Sequence, residues 1–376
     1  MLEGLTIIEI GQVLAGPYAG AILSDLGATV IKIEKPDGGD DGRRMGQPFL
    51  NNDSLTFHEF NRGKRSLTLD LKAPSGVEQL HALAEGADAL VHNLRPDVPR
   101  AIGIDPETFC ARHPRLIYCE ISSFGNAGPM QFEPSFEALV QAYSGIVSSN
   151  GDPAGPSGRL PISAVDLGTS MWTVIGLLTA LRERDRTGKG TIVRTSLFET
   201  ALGWMSQRIN GYLNEGVDLP RESRSGHPGL VPYQSFTAAD GDLFISVGND
   251  RHFVKFAHLL ERDDWVSDPA FATNRARLTN RVQLIAQIDA IIATRPRAYW
   301  LAGLSAAGVP CAPVHELGEV VELEQFAAVD MLSPELDESG VRLISIPISF
   351  NGKRTHPRGV APRLGTADEA PAVTPS

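Results

Sequence analysis

The stretch that decides the fold is Leu5-Thr-Ile-Ile-Glu-Ile10, followed by Gly11-Gln-Val-Leu-Ala-Gly-Pro17 and, after a further segment, by Thr29-Val-Ile-Lys-Ile33. The two β-branched runs are typical of strands, and residues 18–26 between them predict a helix that ends at a glycine. A strand, a helix and a second strand in this order form a β-α-β unit with parallel strands. The sequence therefore predicts an α/β fold built on a parallel sheet.

The same pattern continues along the chain before its texture changes. Residues 66–70, 89–92, 116–121 and 191–196 are further predicted strands, with helical segments between them. Residues 214–232 are rich in Gly, Pro, Ser and Arg, which is typical of a linker. A second module begins at residue 233, and the Pro/Ala tail after residue 365 is predicted to be disordered.

Composition and charge restrict the classes of partner. The 376 residues carry a formal net charge of −11, which disfavours nucleic acid and anionic membrane surfaces as main partners. The three cysteines, Cys110, Cys119 and Cys311, have no metal or disulfide spacing, and the nine histidines are scattered. The N-terminus lacks the features of a signal peptide, and no charge-free apolar stretch of about 18 residues is present. We therefore expect a cytoplasmic protein without a metal site or a membrane span.

A single acidic residue stands at the start of the most apolar helix that the sequence predicts. Asp166 lies in Ser163-Ala-Val-Asp-Leu-Gly-Thr-Ser-Met-Trp172, and the helix is expected to be buried on most sides and to end near Gly188. An Asp at this place can be an N-cap worth about 1 kcal/mol. It can also be a nucleophile that the helix N–H groups and dipole keep ionised. Spacing alone leaves both interpretations open.

Two other features suggest a ligand that carries phosphate. The turn after the first strand resembles a dinucleotide-binding loop in part, with Glu34 where a ribose-binding acid would stand, but it lacks the G-x-G-x-x-G spacing. A nicotinamide cofactor is therefore only a residual alternative. Several cations fall on predicted loops or strand edges and could together form a phosphate-binding rim, although each alone is typical of a solvated surface. They are Lys35, Arg62, Lys64, Arg65, Lys72, Arg95 and Arg100.

Taken together, these motifs resemble the family III CoA-transferases, the group that includes formyl-CoA transferase and the carnitine CoA-transferases. The similar stretches are residues 5–20, 27–36, 61–72, 93–103, 114–129, 163–190, 231–250, 271–281 and 308–314. The resemblance implies a Rossmann-like large domain formed by residues 1–213 and 326–376. It also implies a smaller α/β domain at 233–325, joined through the linker 214–232, and a homodimer of interlocked rings.

The resemblance also implies a chemistry for Asp166, which matches the nucleophile of the family. The carboxylate would attack an acyl-CoA to form an aspartyl anhydride, and CoA would then attack the aspartyl carbonyl to form an aspartyl-CoA thioester. An acceptor carboxylic acid would reverse these steps. Coenzyme A would be a substrate, with no tightly bound cofactor and no metal. Glu137 would be a second catalytic residue that orients the acceptor or positions Asp166.

Contacts to CoA carry over from the same resemblance. Three groups of positions match a turn along the thioester, a site for the adenine and phosphates, and a loop along the pantetheine. They are Val13, Leu14 and Ala15; Lys35, Leu69 and Lys72; and Asn93, Leu94 and Arg95. Arg100 precedes Ala101, which stands where the family usually has an Arg, so Arg100 is the candidate for that phosphate contact. Leu14 in place of the Gln of formyl-CoA transferase makes formate a doubtful acceptor, and cations near the site favour dicarboxylates such as succinate.

Other functions stay open within and beyond this family. The α-methylacyl-CoA racemases share the fold but use a His as a second acid/base, and the matching position here is Phe136, which cannot transfer a proton. A CoA-transferring isomerase of the same family is a further alternative. A non-catalytic CoA-binding protein, in which Asp166 is only a helix cap, is an alternative from a different class.

Overall fold

The computed structural model describes residues 1–50, 52–338 and 340–366. This part of the chain divides into two compact units. The first unit comprises Met1–Ser144, Leu160–Ser206 and the described residues from Glu324 onward, and the second comprises Gly145–Arg159 and Gln207–Leu323. Most of the tail that the sequence predicts to be disordered begins at residue 367 and lies outside the described residues.

The strands of the described residues are, in chain order, β1 (Thr6–Ile10), β2 (Thr29–Glu34), β3 (Phe49–Leu50), β4 (Asp53–Ser54), β5 (Arg65–Thr68), β6 (Ala89–His92), β7 (Ile117–Ser122), β8 (Ile192–Ser196), β9 (Tyr233–Ala238), β10 (Gly241–Ser246), β11 (Cys311–Pro313), β12 (Ser349–Phe350) and β13 (Lys353–Arg354).

The α-helices of the same residues are α1 (Ala15–Asp25), α2 (Leu55–Asn61), α3 (Pro74–Ala84), α4 (Asp97–Ala101), α5 (Pro106–Arg112), α6 (Glu137–Tyr143), α7 (Ile146–Ser149), α8 (Ala164–Thr187), α9 (Leu197–Trp204), α10 (Ser206–Glu215), α11 (Asp250–Leu259), α12 (Asp264–Ser267), α13 (Asn274–Thr279), α14 (Arg281–Ile292), α15 (Arg297–Ala307), α16 (Leu317–Val321) and α17 (Glu324–Ala328). Two short 3-10 helices lie at Asp41–Arg44 and Ser223–Ser225.

A six-stranded parallel sheet forms the centre of the first unit, as the sequence predicts. Its order is β5-β2-β1-β6-β7-β8, and every neighbouring pair is parallel. The chain builds outward from β1 in one direction and then returns to continue from β6 in the other. The strand order therefore reverses between β1 and β6, and the crevice beyond their carboxyl ends is where open α/β sheets bind ligands.

Helix α8 is the longest helix of the first unit and packs against α1, α9, β7 and β8. Close approach to α9 requires a glycine, because a Cβ on Gly168 would lie 2.5 Å from the Trp204 ring. The expectation of burial on most sides is wrong for one face, where Met171, Trp172 and Ile175 are 44–52% exposed. These side chains are exposed because no element of the first unit packs over them.

One helix has the length and apolar composition that a membrane-crossing helix would need. Among the described residues, this helix is α8. Half of its apolar window is buried inside the protein, and a core helix meets the same test. The expectation that no segment spans a membrane therefore stays a prediction.

The second unit contains a three-stranded antiparallel sheet of order β11-β10-β9. Helices α11, α14 and α15 pack with this sheet around a core of large apolar side chains. Trp265, Phe236 and Phe256 are completely buried in it. This unit is therefore also of mixed α/β composition, as expected for the smaller module.

Candidate functional site

The larger cavity of the first unit lies in the crevice beyond the carboxyl ends of β1 and β6 and has a volume of about 660 Å³. It brings together residues that are far apart in the sequence. The expected site residues in its wall are Val13, Leu14, Ala15, Asn93, Leu94, Arg95, Glu137 and Asp166. The crevice that the strand order creates is therefore also the place where the candidate nucleophile and the expected thioester and pantetheine positions meet.

Asp166 lies in the first turn of α8, but it does not cap the helix. Ser163 occupies the N-cap position without a side-chain capping bond, and Asp166 follows three residues later. No donor among the described residues hydrogen-bonds to the Asp166 carboxylate, which lies partly buried in the cavity wall. Burial, and then repulsion by Glu137, raise the pKa of Asp166 to about 7. The interpretation of Asp166 as an N-cap is thus wrong, and the pKa of its carboxyl group is raised by burial and by Glu137.

Glu137 provides the capping contact that Asp166 does not make. Its side chain is buried at the start of α6, and Oε1 accepts hydrogen bonds from the Val165 N–H at 3.2 Å and from Gln141 Nε2 at 2.6 Å. Gln141 Oε1 in turn accepts the N–H of Leu160 at 2.8 Å. Glu137 and Gln141 therefore hold both the approach to α8 and its first turn, next to Asp166.

The turn at residues 11–17, here called the thioester turn, forms the facing wall. Asn93 holds it through two bonds to one residue: Oδ1 accepts the Gln12 N–H at 2.8 Å and Nδ2 donates to the Gln12 carbonyl at 2.9 Å. Ser170 Oγ donates to the carbonyl oxygens of Ala15 at 2.7 Å and of Asp166 at 2.9 Å. The thioester turn is thus tied both to the loop after β6 and to the helix that carries Asp166.

The start of α1 leaves backbone donors without partners, and of the two residues concerned Ala15 lines the larger cavity whereas Gly16 does not. Leu14 is the N-cap and contributes no side-chain capping bond, and no acidic residue lies in the first turn. The N–H groups of Ala15 and Gly16 have no acceptor among the described residues. Such a pair of N–H groups at a helix N-terminus can stabilise negative charge that develops on a carbonyl oxygen.

A second cavity, of about 240 Å³, lies beside β1, β2 and β5. The expected adenine and phosphate residues Lys35, Leu69 and Lys72 all line it, and Leu94 lines both cavities. Lys35 Nζ pairs with Asp41 at 2.7 Å, whereas no side-chain partner of Lys72 is present in the described part of the chain. Two neighbouring cavities that share Leu94 suit an elongated ligand with a polar end.

The two remaining cations predicted to contact CoA are Arg95 and Arg100, and they differ in their position relative to the cavities. Arg95 lines the larger cavity, and its guanidinium pairs with Asp97. Arg100 is exposed at the end of α4 and is absent from the linings of both cavities. The phosphate contact proposed for Arg100 therefore has no support from the geometry of these cavities.

Two members of the proposed cationic rim are not at the surface. Arg62 is buried against Asp25 at 2.7 Å, and Lys64 is buried against Glu9 at 2.6 Å. The prediction of a phosphate-binding rim that includes Arg62 and Lys64 is wrong, because buried and paired cations cannot contact a ligand that binds from solvent. The sequence could not show this, since the acidic partners lie 37 and 55 residues away.

Glu34 is also unavailable for the role that a nicotinamide enzyme would give it. Arg43 contacts both carboxylate oxygens, at 2.7 and 2.9 Å, and Ser66 Oγ and the Asp40 N–H also donate to them. Despite burial, the bonds from Arg43 and Ser66 lower the pKa of Glu34 to about 2. A carboxylate with these partners has no free oxygen for a ribose, which argues against the dinucleotide interpretation.

No candidate metal site is present among the described residues. Within residues 1–50, 52–338 and 340–366, no group of three or more His, Cys, Asp or Glu residues could hold a metal ion.

Sequence reasoning missed Gln141, Ser170 and Asp40 as supporting residues. Gln141 follows Glu137 by one helical turn and could have been found from that spacing, whereas Asp40 sits in a loop without a pattern.

Comparisons with known proteins show the family to which the chain belongs. The family model described as CoA-transferase family III matches residues 2–368. The acetyl-CoA:oxalate CoA-transferase of Acetobacter aceti is 35% identical, with 96% of this chain and 92% of that protein covered. The succinyl-CoA:glutarate CoA-transferase of Mus musculus is 33% identical, with 92% and 79% covered. A crystal structure of a CAIB/BAIF family protein from Brucella suis is 34% identical, with 98% and 97% covered and a TM-score of 0.87.

Proposed function

The chain belongs to CoA-transferase family III, and from this premise we propose how its residues move coenzyme A between acids. Membership makes the protein an enzyme that transfers CoA from an acyl-CoA to a carboxylic acid. The part proposed here is that Asp166 is the nucleophile and that Glu137 positions it. The observation that supports this most is an unbonded, partly buried carboxylate that lines the same cavity as Ala15, whose backbone N–H has no acceptor among the described residues.

The reaction begins with attack of the Asp166 carboxylate on the thioester carbonyl of the donor. CoA leaves as a thiolate, and an anhydride joins Asp166 to the acyl group. The thiolate then attacks the aspartyl carbonyl, so that the donor acid departs as a carboxylate and an aspartyl-CoA thioester remains. The acceptor carboxylate attacks this thioester to form a second anhydride. The released thiolate attacks the acceptor's carbonyl, which forms the new acyl-CoA and restores Asp166.

Negative charge develops on a carbonyl oxygen in each of these steps. The N–H group of Ala15 is the donor that we propose for this charge, because Ala15 lines the same cavity as Leu14 and its N–H has no acceptor among the described residues. A carboxylate with a pKa near 7 is a stronger nucleophile than an ordinary Asp while still largely ionised above that pH. Water in the cavity would hydrolyse the anhydride, so a partly buried position also protects the intermediate.

The relatives suggest the class of acid. The names of the two curated relatives given above specify oxalate and glutarate, which are both dicarboxylates, and one of them specifies succinyl-CoA. We propose that this enzyme likewise takes a dicarboxylate acceptor, with succinyl-CoA as a donor. An assay of CoA exchange with di- and monocarboxylates of equal chain length tests this. Faster exchange with the dicarboxylates is expected, and equal rates would remove the proposal.

The racemase alternative lacks a second acid/base. Phe136 is 68% exposed at the start of α6 and lines the cavity beside Glu137, where a proton-transferring side chain would be needed. A phenyl ring cannot accept or donate the α-proton. Incorporation of deuterium at the α-carbon of a branched acyl-CoA in D₂O would revive this alternative, and we expect none above the uncatalysed rate.

Lys72 provides a test of the smaller cavity. Lys72→Ala is expected to raise the KM for acyl-CoA by about three- to tenfold and to leave kcat within about twofold, because a phosphate would lose a charge-assisted bond remote from the reaction. Arg186→Ala is the matched control, since Arg186 is exposed and paired with Glu183 outside both cavities. Equal KM values for the two variants would contradict a CoA phosphate at Lys72.

We also propose a cytoplasmic homodimer, with the interlocked rings that the family resemblance implies. The exposed face of α8 supports a partner at this face, because Trp172 is 48% and Ile175 52% exposed. Ile175→Glu is expected to lower the molar mass measured by light scattering from two chains to one. Val282→Glu, a change at an exposed apolar residue of α14, serves as the control. A parent protein of one-chain mass would contradict the dimer.

A further inference from the structure

Four charged side chains are buried together directly beneath the thioester turn. Glu9, Lys32 and Lys64 have completely buried side chains, and that of Asp40 is almost completely buried. Lys32 Nζ lies 3.0 Å from Glu9 Oε1 and 2.9 Å from Asp40 Oδ2. Lys64 Nζ lies 2.6 Å from Glu9 Oε2. Two cations thus balance two anions in this four-charge cluster, which none of the steps proposed above uses.

Stability alone does not explain such a cluster. Desolvation of buried ions is so costly that apolar residues of similar volume often replace a buried ion pair without loss of stability. These side chains also make hydrogen bonds to the backbone of the thioester turn. Every member of the cluster has at least one such bond to the thioester turn.

These bonds hold both ends of the turn. Glu9 Oε1 accepts the Gly11 N–H at 2.8 Å, and Lys32 Nζ donates to the Gly11 carbonyl at 2.8 Å. At the other end, Lys64 Nζ donates to the Pro17 carbonyl at 2.7 Å. The contact is so close that a Cβ on Gly11 would lie 2.5 Å from Glu9 Oε1. A larger residue at position 11 would therefore push the turn away from the cluster.

The fourth bond holds the most strained residue of the turn. Val13 has a φ of +66°, a left-handed conformation that is a clear outlier for a β-branched residue. Its N–H donates to Asp40 Oδ1 at 3.0 Å. Backbone strain of this kind persists only where the surroundings over-determine the conformation, and it tends to occur at functional sites. Val13 lines the same cavity as Asp166.

We propose that the four-charge cluster is a positioning device for CoA transfer, in which Asp40 holds Val13 in its left-handed conformation and thereby directs the N–H group of Ala15 at the reacting carbonyl. Asp40 is a positioning residue that acts through the turn. It also lines the smaller cavity, with a side chain that is almost completely buried. This inference rests on the proposed function, because it assigns the turn a part in the transfer steps.

Two double variants that have lost the same charges separate positioning from structure. K32M/D40N keeps an Oδ1 acceptor for the Val13 N–H, whereas K32M/D40L removes it. Each variant loses one positive and one negative charge, so the net charge of the cluster stays at zero in both. We expect kcat of K32M/D40L to be about ten- to a hundredfold below that of K32M/D40N, the loss typical of a small misplacement at a reacting centre. Because Asp40 also lines the smaller cavity, kcat is measured at saturating acyl-CoA, and the Kd for CoA is measured separately by calorimetry. The Tm of K32M/D40L should be the lower one, since the Gly42 N–H also loses Asp40 Oδ1 as its acceptor.

Addition of Val13→Gly to K32M/D40L provides a rescue, because glycine adopts a positive φ without strain. We expect kcat to recover by about threefold or more, an outcome that a purely structural role of Asp40 does not produce. If K32M/D40L does not fold, D40A against D40N gives the same contrast, since Lys32 then keeps Glu9 and the Gly11 carbonyl as partners.

The outcomes also separate this inference from the proposed function. A parent enzyme that exchanges CoA, together with equal kcat in the Asn and Leu (or Ala) variants, overturns the positioning role alone. A parent enzyme that exchanges no CoA overturns the proposed function and this inference with it. A fall in kcat that Val13→Gly does not relieve, measured well below the Tm of both variants, also overturns the inference, because it identifies Asp40 as structural.

Discussion

Replacement of Asp166 by Asn is expected to abolish CoA exchange and, at the same time, to stabilise the fold. The amide cannot form the anhydride, so kcat should fall by at least about 1,000-fold. The free energy of unfolding at pH 8 should rise by ~1–3 kcal/mol, after allowance for the part of the side chain that faces the cavity. A residue that is essential for the reaction but costs stability is typical of an active site.

The sign of the stability change follows from the direction of the pKa shift. The pKa of Asp166 is raised from 3.8 to about 7 in the folded chain, so the folded state binds the proton over a range where the unfolded state has released it. Stability from this group is therefore lost as the pH rises from about 4 to about 7, and above that the full penalty of the buried charge remains. The amide side chain of the Asp166→Asn variant carries no charge and would escape the penalty at pH 8.

Chemical denaturation at pH 5 and pH 8, together with an exchange assay, measures both effects. The gain in stability should be smaller at pH 5, where the parent Asp166 is largely protonated. Asp185→Asn, at the exposed carboxyl end of the same helix, is the control and should leave exchange unchanged. If Asp166 were only a helix cap, Asp166→Ala would lower stability by about 1 kcal/mol and leave exchange intact. That pair of results would contradict the proposed role.

Glu137 is expected to show two separable roles. Glu137→Gln keeps an oxygen for the Val165 N–H but removes the negative charge that raises the pKa of Asp166. The acid limb of kcat/KM, which should lie near pH 7 in the parent, should therefore move to lower pH. Glu137→Ala also removes the acceptor of the bonds from Val165 and Gln141, and kcat should fall about ten- to a hundredfold.

A pH profile of kcat/KM for the parent and both variants makes this comparison. Glu199→Gln is a control, since Glu199 lies in the first turn of α9 and is not part of the cavity lining. An unchanged acid limb in Glu137→Gln would show that the two carboxylates do not interact. An Ala variant as active as the Gln variant would show that the capping bonds are not needed.

The parallel sheet was predictable because each strand of the first unit carries its own apolar run between turn signals. The positions of Val13, Asn93 and Asp166 at the carboxyl ends of strands or the start of a helix followed from the same local patterns and from the family resemblance. That these residues line one cavity depends on the reversal of strand order between β1 and β6. No local signal contains that order.

The electrostatics of the site could not be read from the sequence. Asp166 at a helix start suggested an ionised carboxylate, but its pKa depends on burial and on Glu137, 29 residues earlier. Lys64 resembled a surface cation because its neighbours are polar, and only the fold brings Glu9 to it. Desolvation and charge pairing are properties of tertiary packing, which is why the local sequence could show neither the raised pKa of Asp166 nor the buried ion pair of Lys64.

The central claim is that Asp166 takes part covalently, and isotope transfer tests it most directly. With an acceptor acid labelled with ¹⁸O in its carboxylate, the bridging oxygen of the second anhydride stays with the enzyme when CoA attacks the acceptor's carbonyl. Mass spectrometry of the peptide that contains Asp166 should therefore show ¹⁸O in that side chain after turnover, and none in the side chain of Asp185 on the same helix. Continued CoA exchange by the parent enzyme without label at Asp166 would contradict the account.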